Sequence, residues 1–190
     1  MIKLLAFSGS ARKNSYNQAV AAAAAKAAEA EGAEVTLINL ADYPMPIFNE
    51  DDEAEQGIPA NAQAFKELLM AHDGFIIVSP EYNSSYPALL KNAIDWASRK
   101  VGDEKPLEAF KGKSALIMAS SAGALGGMRV LVVLRMLLGN IGVHVIPDQK
   151  AIGKVNTLLN DAGELTDEKT NQQIGRLVGN LISFTQGLKG

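Results

Sequence analysis

Five short apolar runs, each followed by a segment with helical spacing, constrain this chain more than any other feature. The runs are Ile2–Phe7, Glu34–Leu40, Phe75–Ser79, Ser114–Ala119 and Val143–Pro147. The helical segments are Asn17–Ala30, Asn61–His72, Pro87–Arg99, Gly127–Leu138 and Thr166–Leu188. No two-residue hairpin signal joins one run to the next. Consecutive strands must then be linked through helices, which makes the sheet parallel and covers both its faces. The crossovers are expected to be right-handed. Five strands in 190 residues fit an α/β flavodoxin-like doubly wound sheet of order 2-1-3-4-5, with helices on both faces, better than a six-stranded dinucleotide fold. The length fits one domain over residues 1–190. Tyr43–Pro59, with its prolines and the acidic run Asn49–Glu53, reads as a long loop.

Composition narrows the chemistry. Cysteine is absent, so disulfides, thiolate nucleophiles and cysteine-bound metals drop out. A formal net charge of −3 offers no excess of cations to neutralise nucleic-acid phosphates. No apolar run reaches the roughly 20 residues of a membrane span. Met1–Phe7 reads as a first strand rather than a signal peptide. The expectation is a cytoplasmic protein that binds neither nucleic acid nor membrane.

In such a sheet a ligand binds beyond the C-terminal strand ends, where the strand order reverses. Three unusual polar stretches fall there: Ser8–Asn17, Ser79–Tyr86 and Ser120–Gly127. The first, SGSARKNSYN, leaves a strand and opens a helix. It offers hydroxyls on Ser8, Ser10 and Ser15, amides on Asn14 and Asn17, and the cation Arg12, at a helix terminus suited to an anion. The second places Pro80, Glu81, Tyr82 and Asn83 at the strand exit, with Tyr82 able to stack on a ring and Asn83 to bond its edge. The third, SSAGALGG, has small side chains that let backbone N–H groups approach a flat ligand. Each stretch taken alone also reads as an ordinary turn or helix cap. Gly112-Lys113-Ser114 is not a phosphate-binding P-loop, since position 107 is Leu107 and Lys113 precedes a strand. Gly123–Gly127 lacks the leading Gly-x of a dinucleotide loop. The acidic run lacks calcium-loop spacing, and no metal site is expected. His72 and His144 are read as structural, and Ile94 and Trp96 as core or interface.

Taken in order and spacing, GSARKNSYN (Gly9–Asn17), PEYNSSYPALLKNAIDW (Pro80–Trp96) and SAGALGG (Ser121–Gly127) resemble the NADPH-dependent FMN reductase family. That family includes quinone, chromate and azo-dye reductases. The resemblance spans Met1 to Lys150. It implies an FMN whose phosphate is held by Ser10, Arg12, Ser15 and Asn17. Pro80, Glu81, Tyr82 and Asn83 would border the isoalloxazine and ribityl chain. Ser120, Ser121, Gly123 and Ala124 would line the pyrimidine side. NADPH or NADH would be the donor, and hydride chemistry at FMN N5 leaves no side chain to be assigned as catalytic. A small molecule such as flavin, quinone, chromate or an azo compound would accept the electrons. One departure is Ala88, where family members often have glycine after the proline. A flavodoxin-like FMN electron carrier, which takes no hydride from NADPH, is the alternative. Apolar residues run most of the way round Met128–Leu138, so a homodimer or homotetramer is expected.

Overall fold

The computed structural model describes all 190 residues. Strands β1 (Lys3–Ser8), β2 (Glu34–Leu37), β3 (Gly74–Ser79), β4 (Ser114–Ser120) and β5 (His144–Ile152) form one sheet of order β2-β1-β3-β4-β5. All four pairings are parallel. The expected architecture and strand order are both observed. The main helices are α1 (Tyr16–Ala30), α2 (Glu50–Gln56), α3 (Ala60–Ala71), α4 (Ala88–Ala97), α5 (Met128–Asn140) and α6 (Glu168–Lys189).

Side-chain alternation along the strands builds two cores. Leu4, Ala6, Ile76, Val78, Leu116 and Met118 face α1 and α6. Leu5, Phe7, Phe75, Ile77, Ala115 and Ile117 face α3, α4 and α5. The alanines of α1 serve two ends. Alanine has the highest helix propensity, and Ala21, Ala24, Ala25 and Ala28 are small enough to be buried against the sheet and α6. The helix stops before Gly32, which takes φ +83°.

Two local expectations need correction. The long loop Tyr43–Pro59 contains helix α2. Asn49 caps it by accepting the Asp51 N–H at 3.1 Å. Glu50, Asp51, Asp52 and Glu53 occupy its first turn, where carboxylates favour the positive helix end. The acidic run is a helix start, and Arg99 anchors it by donating from Nε to both Glu53 oxygens at 2.8 and 2.9 Å.

Strand β5 continues to Ile152, well past Pro147. Proline lacks the N–H for a ladder bond, so the pairing jumps from Ala115↔Val145 to Ile117↔Gln149. Arg135 of α5 satisfies the carbonyls loosened there, donating to Val145 O at 3.0 Å and Pro147 O at 3.3 Å. After this irregularity the strand resumes and delivers Ile152 and Gly153 to the C-terminal edge. No helix is long and apolar enough to cross a membrane.

Candidate functional site

The three polar stretches meet at the C-terminal edge of the sheet, around the reversal between β1 and β3. The β1–α1 turn is built by short-range hydroxyl bonds. Ser8 Oγ accepts the Ser10 N–H at 3.1 Å, and Ser10 Oγ accepts the Arg12 N–H at 3.3 Å. Ser15 caps α1 by accepting the Gln18 N–H at 3.4 Å. Gly9 donates to Val78 O at 2.9 Å, and a Cβ there would lie 3.0 Å from Leu90. Asn14 takes φ +58°, a conformation Asn tolerates. The N–H groups of Asn14, Ser15, Tyr16 and Asn17 have no partner in the chain. They open onto the positive end of a 15-residue helix, which makes the turn a cradle for an anion. Arg12 is exposed, forms no ion pair, and lies over the Tyr16 ring at 5.0 Å.

Two residues expected to face a cofactor are committed elsewhere. Asn17 is buried. Its Nδ2 donates to Ser120 O at 3.1 Å and its Oδ1 accepts the Ser120 N–H at 2.9 Å. It joins the start of α1 to the end of β4 and so fixes the spacing between the first and third stretches. Glu81 accepts the N–H of Arg129 at 2.9 Å and of Val130 at 3.3 Å, and receives Arg129 Nη1 at 3.0 Å. It is the missing cap of α5, whose own N-cap residue, Gly127, has no side chain to offer. Burial works to raise the Glu81 pKa. The Arg129 side chain and the two backbone donors outweigh it and hold the carboxyl below its ordinary value.

Between these anchors the second stretch makes a tight projection. Tyr82 and Ser85 exchange backbone bonds at 2.9 and 3.0 Å, with Asn83 at φ +51° and Ser84 at φ +65° between them. Positive φ at both central residues marks a type I′ turn, which Asn accommodates. The turn lifts Tyr82 into solvent at 54% exposure, its ring free to be covered. Pro80 is buried at the strand exit, and Asn83 sits at the tip of the turn.

The third stretch is held from below by residues that the strand pattern hid. Ser121 N–H donates to Ile152 O, Val155 N–H to Ser121 O and Lys154 N–H to Gly123 O, each at 3.1 Å. Gly153 passes so close that a Cβ would lie 2.3 Å from Ala124 O. The only sequence signal is a lone glycine after the apolar pair Ala151-Ile152, and it lies beyond Pro147, a residue that commonly ends a strand. Above this support the N–H groups of Ala122, Gly123, Ala124 and Leu125 have no partner in the chain. Ser120 Oγ is buried beside them, also without a partner.

His72 and His144 lie at the opposite edge of the sheet. His72 bonds Leu68 O through Nδ1 at 2.6 Å and Thr36 Oγ1 through Nε2 at 2.8 Å. Ile94 and Trp96 are core residues, and Trp96 Nε1 donates to Pro46 O at 2.8 Å.

These features fit FMN. An anion cradle stands at one end, a row of free N–H groups and an unpaired buried hydroxyl at the other, and an exposed aromatic ring rises at the rim.

Comparison with known proteins agrees. The family model of NADPH-dependent FMN reductases matches residues 2–157. The chain is 36% identical to a quinone reductase of Escherichia coli (strain K12) over 185 residues, covering 96% of this chain and 93% of that one. It is 35% identical to the NAD(P)H-dependent FMN reductase PA1204 of Pseudomonas aeruginosa over 190 residues, covering 100% and 98%. The solved structure of FerB, a flavoenzyme NAD(P)H:(acceptor) oxidoreductase from Paracoccus denitrificans, superposes with a TM-score of 0.80 at 28% identity, covering 98% of each chain. A shared order of motifs, a shared fold and a C-terminal edge suited to a flavin all point the same way, and the chain belongs to the NADPH-dependent FMN reductase family of oxidoreductases.

Proposed function

We propose that this chain, as one domain over residues 1–190, holds FMN across its C-terminal sheet edge and passes electrons from NAD(P)H to a small acceptor in the cytoplasm. Quinones are the leading acceptor class, because the relatives of highest identity named above include a quinone reductase. Flavin, chromate and azo compounds fit the same open face. When bound, FMN supplies the hydride-accepting and electron-passing chemistry.

The residues do the holding. Ser10, Ser15 and Arg12, with the free N–H groups of Asn14–Asn17, would take the phosphate. Pro80, Tyr82 and Asn83 would wall the ring. Ser120 Oγ and the N–H groups of Ala122–Leu125 would bond its carbonyl edge and favour negative charge there. Asn17 and Glu81 act one step back, positioning the first and third stretches. The observation that carries this assignment is the set of unpaired N–H groups at both ends of one edge.

Removing a charged hydrogen-bonding partner of a phosphate weakens binding about tenfold or more. FMN is therefore expected to bind more tightly than riboflavin, and Arg12→Ala to remove most of that preference in a fluorescence titration. Equal affinity of the wild-type protein for FMN and riboflavin would count against a phosphate at this turn.

The same proposal covers assembly. Helix α5 buries Val130, Leu131, Leu134 and Leu138 but leaves Met128, Val132 and Met136 more than half exposed, with Leu125 beside them at 50%. A second copy would cover this stripe and stand next to the flavin loop, as a homodimer or within a homotetramer. Sedimentation is expected to give at least twice the 20.1 kDa of one chain, and Val132→Asp to lower it. Particles of single-chain mass in the wild-type protein would remove this interface.

A further inference from the structure

Two clefts run along the outer face of α1 and meet at Ala19, Ala22 and Gly163. The one nearer the sheet edge has a volume of about 670 Å³, and the other about 390 Å³. Their floor is the alanine face of α1, where the side chains are too short to fill the space. The facing wall is the segment after β5. That wall is preformed, since Asn160 N–H donates to Glu164 O at 3.0 Å and Glu164 N–H to Asn160 Oδ1 at 2.9 Å. Leu159 and Leu165 pair as an isolated bridge behind it.

The mouth of the groove is lined by the proposed phosphate turn itself, from Arg12 and Lys13 to Tyr16. Arg12 is assigned to FMN, whereas Lys13 is exposed and forms no ion pair or hydrogen bond. Inside, Gln18 donates its Nε2 to Ile38 O at 3.0 Å, but its buried Oε1 has no partner. Asn156 and Asp161 face it across the groove. A free cation at the mouth, an unused acceptor within and a flat apolar floor suit a phosphorylated purine nucleoside. The inner wall also connects to the flavin loop, since Val155, next to Asn156, donates to Ser121 O.

We infer that this groove takes the adenosine end of the nicotinamide donor, with Lys13 pairing with the ribose 2′-phosphate, and so sets a preference for NADPH over NADH. Gln18 Oε1 would accept from the adenine amino group or a ribose hydroxyl, and Asp161 from a ribose hydroxyl. The inference rests on the reductase assignment above, but the nucleotide groove can be tested apart from it.

The test is calorimetric titration of the FMN-loaded protein with adenosine 2′,5′-bisphosphate and with 5′-AMP. A charge-assisted pair predicts that the 2′-phosphate compound binds about tenfold more tightly. Lys13→Ala is expected to erase the difference and Lys13→Arg to restore it. Ala22→Met, which fills the floor, should weaken both ligands. In turnover, Lys13→Ala should lower kcat/KM for NADPH relative to that for NADH by the same factor. Equal binding of the two nucleotides by the wild-type protein, or Lys13→Ala and Ala22→Met both binding like wild type, would overturn the inference. Wild-type discrimination between the nucleotides, in protein whose flavin stays oxidised under NADPH, would keep the groove and remove the reductase assignment.

Discussion

Gly126→Ala is expected to destabilise the protein by about 3 kcal/mol and to loosen FMN with it. Two costs combine. Gly126 takes φ +61°, where a residue with a Cβ loses roughly 1–2 kcal/mol. The new methyl would also lie 2.5 Å from Gly153 N and from Ile152 C. Those are backbone atoms at the end of β5, and they cannot swing away as a side chain could. Overpacking of this kind costs about 1–3 kcal/mol. Relief requires the Ser121–Gly127 loop to lift or the end of β5 to peel, and either movement disturbs the free N–H groups of Ala122–Leu125. Gly123 in the same loop makes a sharp contrast, because the nearest atom to its added Cβ is Ser121 Oγ at 3.6 Å and its φ is not positive. Thermal unfolding should therefore show a fall of several degrees for Gly126→Ala and little change for Gly123→Ala. Equal melting temperatures for the two variants would mean that the close passage of β5 under the loop is not what holds it.

Lys66→Met should cost about as much, far from the site. Lys66 is only 2% exposed and pairs with Glu104, which is 17% exposed. Its ammonium also donates to Arg99 O, and Glu104 accepts the Val101 N–H at 2.9 Å. One buried cation thus ties the segment after α4 to α3, and Arg99 extends the tie to α2 through Glu53. Methionine fills a similar volume, but the carboxylate and the carbonyl lose their partner. Breaking a buried pair from one side costs roughly 3–5 kcal/mol. Glu104 can turn partly to water, which places the expectation at about 3 kcal/mol, a fall in Tm of roughly 6–12 °C for a chain of this size.

The effect depends on pH in a defined direction. Burial works to raise the Glu104 pKa, but Lys66, the Val101 N–H and nearby Lys100 outweigh it and hold the carboxyl below its ordinary value. A lowered folded pKa contributes stability above the unfolded value and loses it as pH falls through the folded one. The wild-type and Lys66→Met stabilities should therefore converge as pH falls through and below the ordinary glutamate range. A constant gap across that range would show that packing, rather than the ion pair, carries the difference.

The fold was legible because its signals are local and repeated. Each strand is a short apolar run, each helix has its own period, and the position of a ligand in a doubly wound sheet follows from strand order alone, without any motif. That Ser10, Arg12, Ser15 and the Ser121–Ala124 loop stand at this edge follows from the same logic, since a strand–helix turn and a small-residue loop have sequence signatures. The roles of Asn17 and Glu81 do not. The partner of Asn17 is Ser120, 103 residues away, and that of Glu81 is the start of α5, 48 residues on. Nothing within a local window distinguishes such a bond from a contact to a ligand. Helix α2 was hidden by its length, although Asn49 followed by four acids is itself a capping signal. Pro147 read as a strand end because a proline commonly is one, and the bulge that lets β5 resume depends on Arg135 from another element.

The most direct measurement is the visible spectrum of the FMN-loaded protein under anaerobic conditions, before and after one equivalent of NADPH. An edge that holds FMN with an open ring face predicts that flavin stays with the protein through gel filtration and that its oxidised bands bleach on mixing. The colour should return when a quinone is added. Flavin that is retained but stays yellow under NADPH would contradict the account in favour of an electron carrier, and flavin lost on gel filtration would contradict the site itself.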